Sequence, residues 1–168
     1  MKHRFIFIFV FVTSTLAVMS QHRFSFTHYT SDIGLSQNSI TAIMKDSKGY
    51  IWLCTRDGLN KFDGYNFTIY NSKPQKKKSG LSNRILTIRE DKWGYIWVKT
   101  YDEIVYRVNP STEELQQVVN PDGSVLEEKI DEMYVLSSGK VWLSTFGHEL
   151  LVVHTDAETH ALSFEKFS

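Results

Sequence analysis

Trp93 stands in a turn between Asp91 and Gly94, and an aromatic ring on a loop can stack on a flat ligand. Lys76, Lys77 and Lys78 run together in a polar stretch that contains Pro74, where three ammonium groups could hold an anion. These four are the candidate ligand-binding residues. Their plainer readings are a single exposed aromatic and a solvated loop. Asp46, Asp57 and Asp91 suit turns, because Asp bonds the backbone two residues on. No Asp-x-Asp-x-Asp loop is present for calcium. His28, His148, His154 and His160 lack the helical spacing and carboxylate neighbours of a zinc site. Cys54 is the one cysteine, so no internal disulfide forms, and it reads as a small buried apolar residue. No nucleophile elbow and no catalytic pair is present. Neither catalytic residues, nor metal ligands, nor a cofactor is expected.

The elements that must position such residues are strands. The 168 residues include eleven Phe, eight Tyr and four Trp, an aromatic share of 14%. Aromatics suit strands, and four alanines disfavour a helical bundle. Hydrophobic and charged shares of 42% and 23% are those of a globular protein. Nineteen basic against nineteen acidic residues leave no basic excess for nucleic acid.

Lys2, His3 and Arg4 precede the apolar run Phe5 to Val12, with small residues towards Ser20. This reads as a secretory signal peptide over residues 1–20, cleaved to leave Gln21. The apolar run is shorter than the ~20 residues of a membrane span. Without Lys2 and Arg4 the net charge is −2.

The organisation is a repeat of 45 residues. Gly49, Gly94 and Gly139 keep that period, as do Trp52, Trp97 and Trp142, and Ile40, Ile85 and Ile130. These six Gly and Trp residues are read as structural, the Trp rings packing blade on blade. Each copy reads as four short strands. The first has Ile40–Lys45, Tyr50–Thr55, Leu59–Phe62 and Tyr65–Tyr70, with a turn at Asp46–Gly49 and an Asp63-Gly64 hairpin. The outer strand of the second is expected near Leu115–Val119, and that of the third at Leu162–Phe167. Four antiparallel strands per ~40–50 residues make a β-propeller blade. The fold class is therefore all-β, a partial propeller of about three four-stranded blades. Phe26-Thr27-His28-Tyr29 is similar to Phe67-Thr68-Ile69-Tyr70, and reads as one further N-terminal outer strand. The expected divisions are 1–20 signal peptide, 21–33 outer strand, 34–79 blade 1, 80–124 blade 2 and 125–168 blade 3. A ring usually has about four to eight blades, so three suggest the N-terminal piece of a longer protein.

Gly34-Leu35-Ser36-x-Asn38, then Asp46-x-x-Gly49-x-Ile51-Trp52-Leu53, then Gly58-Leu59-Asn60-Lys61-Phe62-Asp63-Gly64 closely resembles the two-component regulator propeller repeat. The second copy departs at Tyr101-Asp102-Glu103-Ile104 and Asn109-Pro110; the third keeps little beyond Gly139-x-Val141-Trp142-Leu143. The resemblance implies the periplasmic sensor of a hybrid two-component system. In that family two seven-bladed propellers precede an immunoglobulin-like domain, a membrane helix, a histidine kinase core, a receiver and a DNA-binding domain. It implies an oligosaccharide ligand, a homodimeric parent anchored in the inner membrane, and signalling to a kinase outside this chain. The partners are then the remaining blades and the kinase part, with no nucleic acid contact by this segment. The alternatives are a free-standing secreted propeller that binds or scaffolds, and a piece of a propeller polysaccharide lyase or hydrolase.

Overall fold

The computed structural model describes residues 25–70, 83–120, 124, 126 and 128–167. The expected signal peptide and the Lys76–Lys78 run lie outside these residues. Among the described residues, twelve strands form three four-stranded antiparallel sheets, each in simple chain order. The first sheet is β1 (Ile40–Lys45), β2 (Ile51–Thr55), β3 (Gly58–Phe62) and β4 (Phe67–Tyr70). The second is β5 (Ile85–Glu90), β6 (Ile96–Thr100), β7 (Val105–Asn109) and β8 (Glu114–Gln117). The third is β9 (Ile130–Val135), β10 (Val141–Thr145), β11 (Leu150–Thr155) and β12 (Leu162–Phe167). β1 and β12 coincide with their expected bounds, while β8 falls one to two residues earlier. Among the described residues no helix is long and apolar enough to cross a membrane.

The sheets are propeller blades, and the repeat explains their stacking. Side chains alternate between the two faces of a strand. In β6, Ile96 and Val98 therefore meet the first blade, and Trp97 meets the third. The core between blades 1 and 2 joins Trp52, Cys54, Leu59 and Tyr70 to Ile85, Ile88, Tyr106 and Val108. The core between blades 2 and 3 joins Trp97, Val105 and Val118 to Ile130, Met133, Val141, Leu143, Leu151 and Val153. The first strands of successive blades approach each other, β1 to β5 and β5 to β9. Thr41 Oγ1 donates across that line to the Ile85 carbonyl at 2.6 Å. Each first strand also has a bulge near its start, by Ile40, Ile85 and Ile130. Period and irregularity thus repeat together.

The N-terminal segment departs from expectation. Residues 25–30 form no strand. An outer strand pairs with a third strand, and β3, β7 and β11 are each already paired on both sides. Tyr29 instead lays its ring on blade 1, with centroids 4.8 Å from Phe62 and 5.8 Å from Phe67. A bulky aromatic thus covers part of an apolar sheet face without joining its hydrogen-bond ladder.

Candidate functional site

The site grows from one aspartate turn. Asp91 begins the turn between β5 and β6. Its Oδ1 accepts from the backbone N–H of Trp93 and of Tyr95, both at 3.0 Å. Its Oδ2 accepts from Trp97 Nε1 at 2.8 Å. One carboxylate therefore closes the turn and satisfies a buried indole. Asp46 makes the same three bonds, to Lys48, Tyr50 and Trp52. The third copy has Leu136 there, and its indole lacks that aspartate. Trp52 and Trp97 are 0% exposed, whereas Trp142 is 39% exposed on the outer face of blade 3.

Above each buried indole lies a cation. Lys61 faces Trp52 across the β2–β3 ladder, and Arg107 faces Trp97 across β6–β7. The Lys61 ammonium sits 4.5 Å from the Tyr50 ring centre, and the Arg107 guanidinium 4.3 Å from that of Tyr95. These are cation–π contacts. Each cation also reaches the next blade: Lys61 Nζ donates to the Pro110 carbonyl at 3.2 Å, and Arg107 Nη2 to the His160 carbonyl at 2.9 Å. Tyr, Trp and cation thus form a clamp between blades. Blade 3 has Lys140 and Val152 in the corresponding places and lacks it.

Arg107 has more donors than the clamp uses. Nη2 also donates to Gln116 Oε1 at 2.7 Å. Nη1 is buried without a hydrogen-bond partner, as is His160 Nδ1. Burial pulls the guanidinium below its ordinary pKa, countered by Tyr95, Asp91 and Glu114. Arg107 lines a cavity of about 160 Å³ with Tyr95, Glu114 and His160. A second cavity of about 260 Å³ holds Trp93 and Lys48 on its wall, and shares Tyr95, Asn109 and His160 with the first. The Asp156 turn presents His160: Asp156 Oδ1 accepts from the backbone of Glu158 and Thr159, which lowers its pKa. His160 itself adopts a left-handed backbone, φ 56°.

Trp93 is half-buried, and two neighbours explain this. Lys92 Nζ lies 4.3 Å from its ring centre. The far edge of the ring lies over Gly139, where any Cβ would collide with it. The remaining candidates are scattered. His28 and His148 lie in loops and are exposed. His154 Nε2 is 3.6 Å from Glu165 Oε1 on β12. Among the described residues no three His, Cys, Asp or Glu come together to hold a metal. Cys54 is wholly buried, and burial pushes its thiol up to about 12. Tyr95 and Arg107 were not singled out from the sequence, and His160 was weighed there only as a metal ligand. The signal was present but offset: the cation follows Trp52 by nine residues and Trp97 by ten.

The chain resembles known proteins over much of its length. Residues 34–57 and 79–102 match the family model for the two component regulator propeller. Over 74 residues the chain is 40% identical to Histidine kinase P4 of Formosa agariphila, covering 44% of this chain and 5% of that protein. It is similar in structure to the extracellular domain of BT3049 of B. thetaiotaomicron, assigned as a hybrid two component system. There the TM-score is 0.64 and the identity 24%, over 82% of this chain and 19% of that one. The corresponding domain of BT4673 gives 0.57 and 23%, over 83% of this chain and 18% of the other. The chain therefore spans a small part of each.

Proposed function

We propose that this chain, which carries two component regulator propeller repeats, is a ligand-sensing segment on the outer side of the inner membrane, working for a kinase that lies elsewhere in a longer protein. The repeat matches carry the reading: the residues that define them are those that build the turns and buried indoles of blades 1 and 2. The similar domains of BT3049 and BT4673 are extracellular parts of two-component systems, which supports an exported location reached through residues 1–20. The mechanism is transmission through a stiff array. Blades that share cores and inter-blade hydrogen bonds pass a ligand's effect on to their neighbours and so to a paired sensor. A binding energy that differs between two arrangements of the pair shifts their populations. The ligand class proposed is an oligosaccharide, and the parent a homodimer. Sequencing downstream in the same reading frame tests the sensor reading. Further propeller repeats, a membrane helix and a kinase core are expected. A stop codon followed by a separate secreted enzyme would overturn it in favour of a free-standing propeller.

A further inference from the structure

We infer that the outward faces of blades 1 and 3 are two halves of one interface, by which blade 3 of one copy receives blade 1 of a second copy, head to tail. This goes beyond the sensing reading and does not depend on it. Each blade has a forward face, towards the next blade, and a rear face, towards the one before. Trp52 on the forward face of blade 1 shares a core with Ile88, Ile96 and Val98 on the rear face of blade 2. Trp97 on the forward face of blade 2 shares a core with Met133, Val141 and Leu143 on the rear face of blade 3. The chain thus builds the same layer twice, an indole against aliphatic residues, forward face on rear face.

The two free faces carry the halves of a third such layer. Trp142 holds the repeat position of Trp52 and Trp97 on the forward face of blade 3, and is 39% exposed where they are 0%. Ile43 holds the position of Ile88 and Met133 on the rear face of blade 1, and is 66% exposed where they are 1% and 2%. Tyr134 lies beside Trp142 in the ladder, and Leu53 beside Ile43, with Ile69 on the same row. Both patches are core positions of the repeat that want only the opposing blade. A second copy supplies it for each. Pairing like with like fits worse. Two forward faces would bring together Glu132 and Glu165 from both copies, with Lys140 of each to balance them, and like charges oppose association. A rear face brings the exposed Lys45 instead, two residues from Ile43. Two rear faces would leave both indoles outside. Tyr29 takes the Phe62–Phe67 corner of the rear face, so the contact is smaller than either internal one. A head-to-tail contact leaves a free face at each end, and copies add on until a ring closes.

Mixing two variants tests the pairing, on the chain as exported, residues 21–168. Ile43→Lys with Ile69→Lys blocks the rear face, and Tyr134→Lys with Trp142→Lys blocks the forward one. None of the four belongs to a core between blades, so circular dichroism should match the unaltered chain. Should a double variant unfold, Ile43→Lys and Trp142→Lys alone make the same comparison. In light scattering the unaltered chain should give sizes that grow with concentration, and each variant alone should be monomeric. An equimolar mixture should give a dimer and nothing larger, since one sound face of each kind remains. A rear-face variant that still pairs alone would mean that forward faces meet each other, and a forward-face variant that still pairs alone would mean the same of rear faces. Either result overturns the proposal, as does a mixture that stays monomeric. A chain extended through blades that follow in the same reading frame, and monomeric where residues 21–168 are not, would give the forward face to the next blade and overturn the second copy as its occupant.

Discussion

At Trp97 three causes of stability meet in one side chain. The ring is fully buried, it donates to Asp91, and it lies beneath the Arg107 guanidinium. Trp97→Ala should therefore cost about 3–5 kcal/mol, by loss of burial and the cavity left behind. Trp93→Ala, from a half-buried ring, should cost about 1 kcal/mol. Chemical denaturation monitored by circular dichroism compares the two, and equal losses would contradict the assignment. Asp91→Ala leaves the indole N–H buried and unpaired, at about 1–3 kcal/mol. The period of 45 made the three tryptophans legible as one structural position. It did not reveal that aspartate and indole are bonded, because a turn aspartate looks complete without that bond. Nor did it reveal that the third ring would be partly exposed, since a repeat position says nothing of what lies beyond the last copy. Titration belongs at this scale too. Burial raises the pKa of Cys54 to about 12 and that of Tyr70 upward, first by burial and then by Glu113. In the unfolded chain Cys ionises near ~8.5. Above that pH the unfolded state holds fewer protons than the folded one, so stability is full below it and falls as pH rises. Urea midpoints should drop between pH 8 and 10, and Cys54→Ala should flatten that drop. A midpoint that rises with pH over that range would refute the buried thiol.

The turns show how an element carries a repeat while a neighbour alters its tolerance. Gly49, Gly94 and Gly139 hold the same place and the same left-handed backbone, at φ 95°, 83° and 89°. A side chain in that region costs about 1–2 kcal/mol anywhere. Space differs among the three. A Cβ at Gly49 meets nothing within 4 Å, and one at Gly94 meets only Glu90 Oε1 at 3.8 Å. At Gly139 it runs into the Trp93 ring. Gly139→Ala should thus lose clearly more stability than Gly49→Ala or Gly94→Ala. Combining it with Trp93→Ala should return part of the loss, a coupling that a double-mutant cycle reads directly. Additive losses would show that ring and turn do not touch. Strand order and most strand bounds were legible, because alternation and Asp–Gly turns are local signals. Two features were not. The segment at residues 25–30 resembles an outer strand in its residues, yet strand pairing depends on a free neighbouring edge, which is not a local property. The clamp of Lys61 and Arg107 was hidden by a single inserted residue between Trp and cation. It appears only once the ladder places cation opposite indole.

Across the molecule, each blade is made to be covered twice. Blade 2 has neighbours on both faces, and its strand β6 is buried from end to end. Blades 1 and 3 each turn one face outward, and those faces keep apolar residues. Ile43 and Ile69 are exposed on blade 1, where Tyr29 covers only the Phe62–Phe67 corner. Tyr134 and Trp142 are cross-strand neighbours on blade 3, with Phe167 exposed on its outer strand. Repeat arrays stay soluble when their end faces are polar, and contiguous apolar faces of this kind associate. The blade 3 face also lacks the clamp, since Val152 stands where blades 1 and 2 have a cation. It therefore offers area without the directional bonds that fix one register. Residues 21–168 alone should consequently self-associate, with a broad distribution of sizes, and should bind glycan only weakly. Size-exclusion chromatography with light scattering measures this. Trp142→Lys paired with Tyr134→Lys puts two charges on the exposed face and should shift the distribution towards monomer, leaving the blade 2–3 core intact because neither residue belongs to it. A sharp monomer peak for the unaltered chain, with a single cooperative thermal transition, would show that three blades suffice as a folded unit.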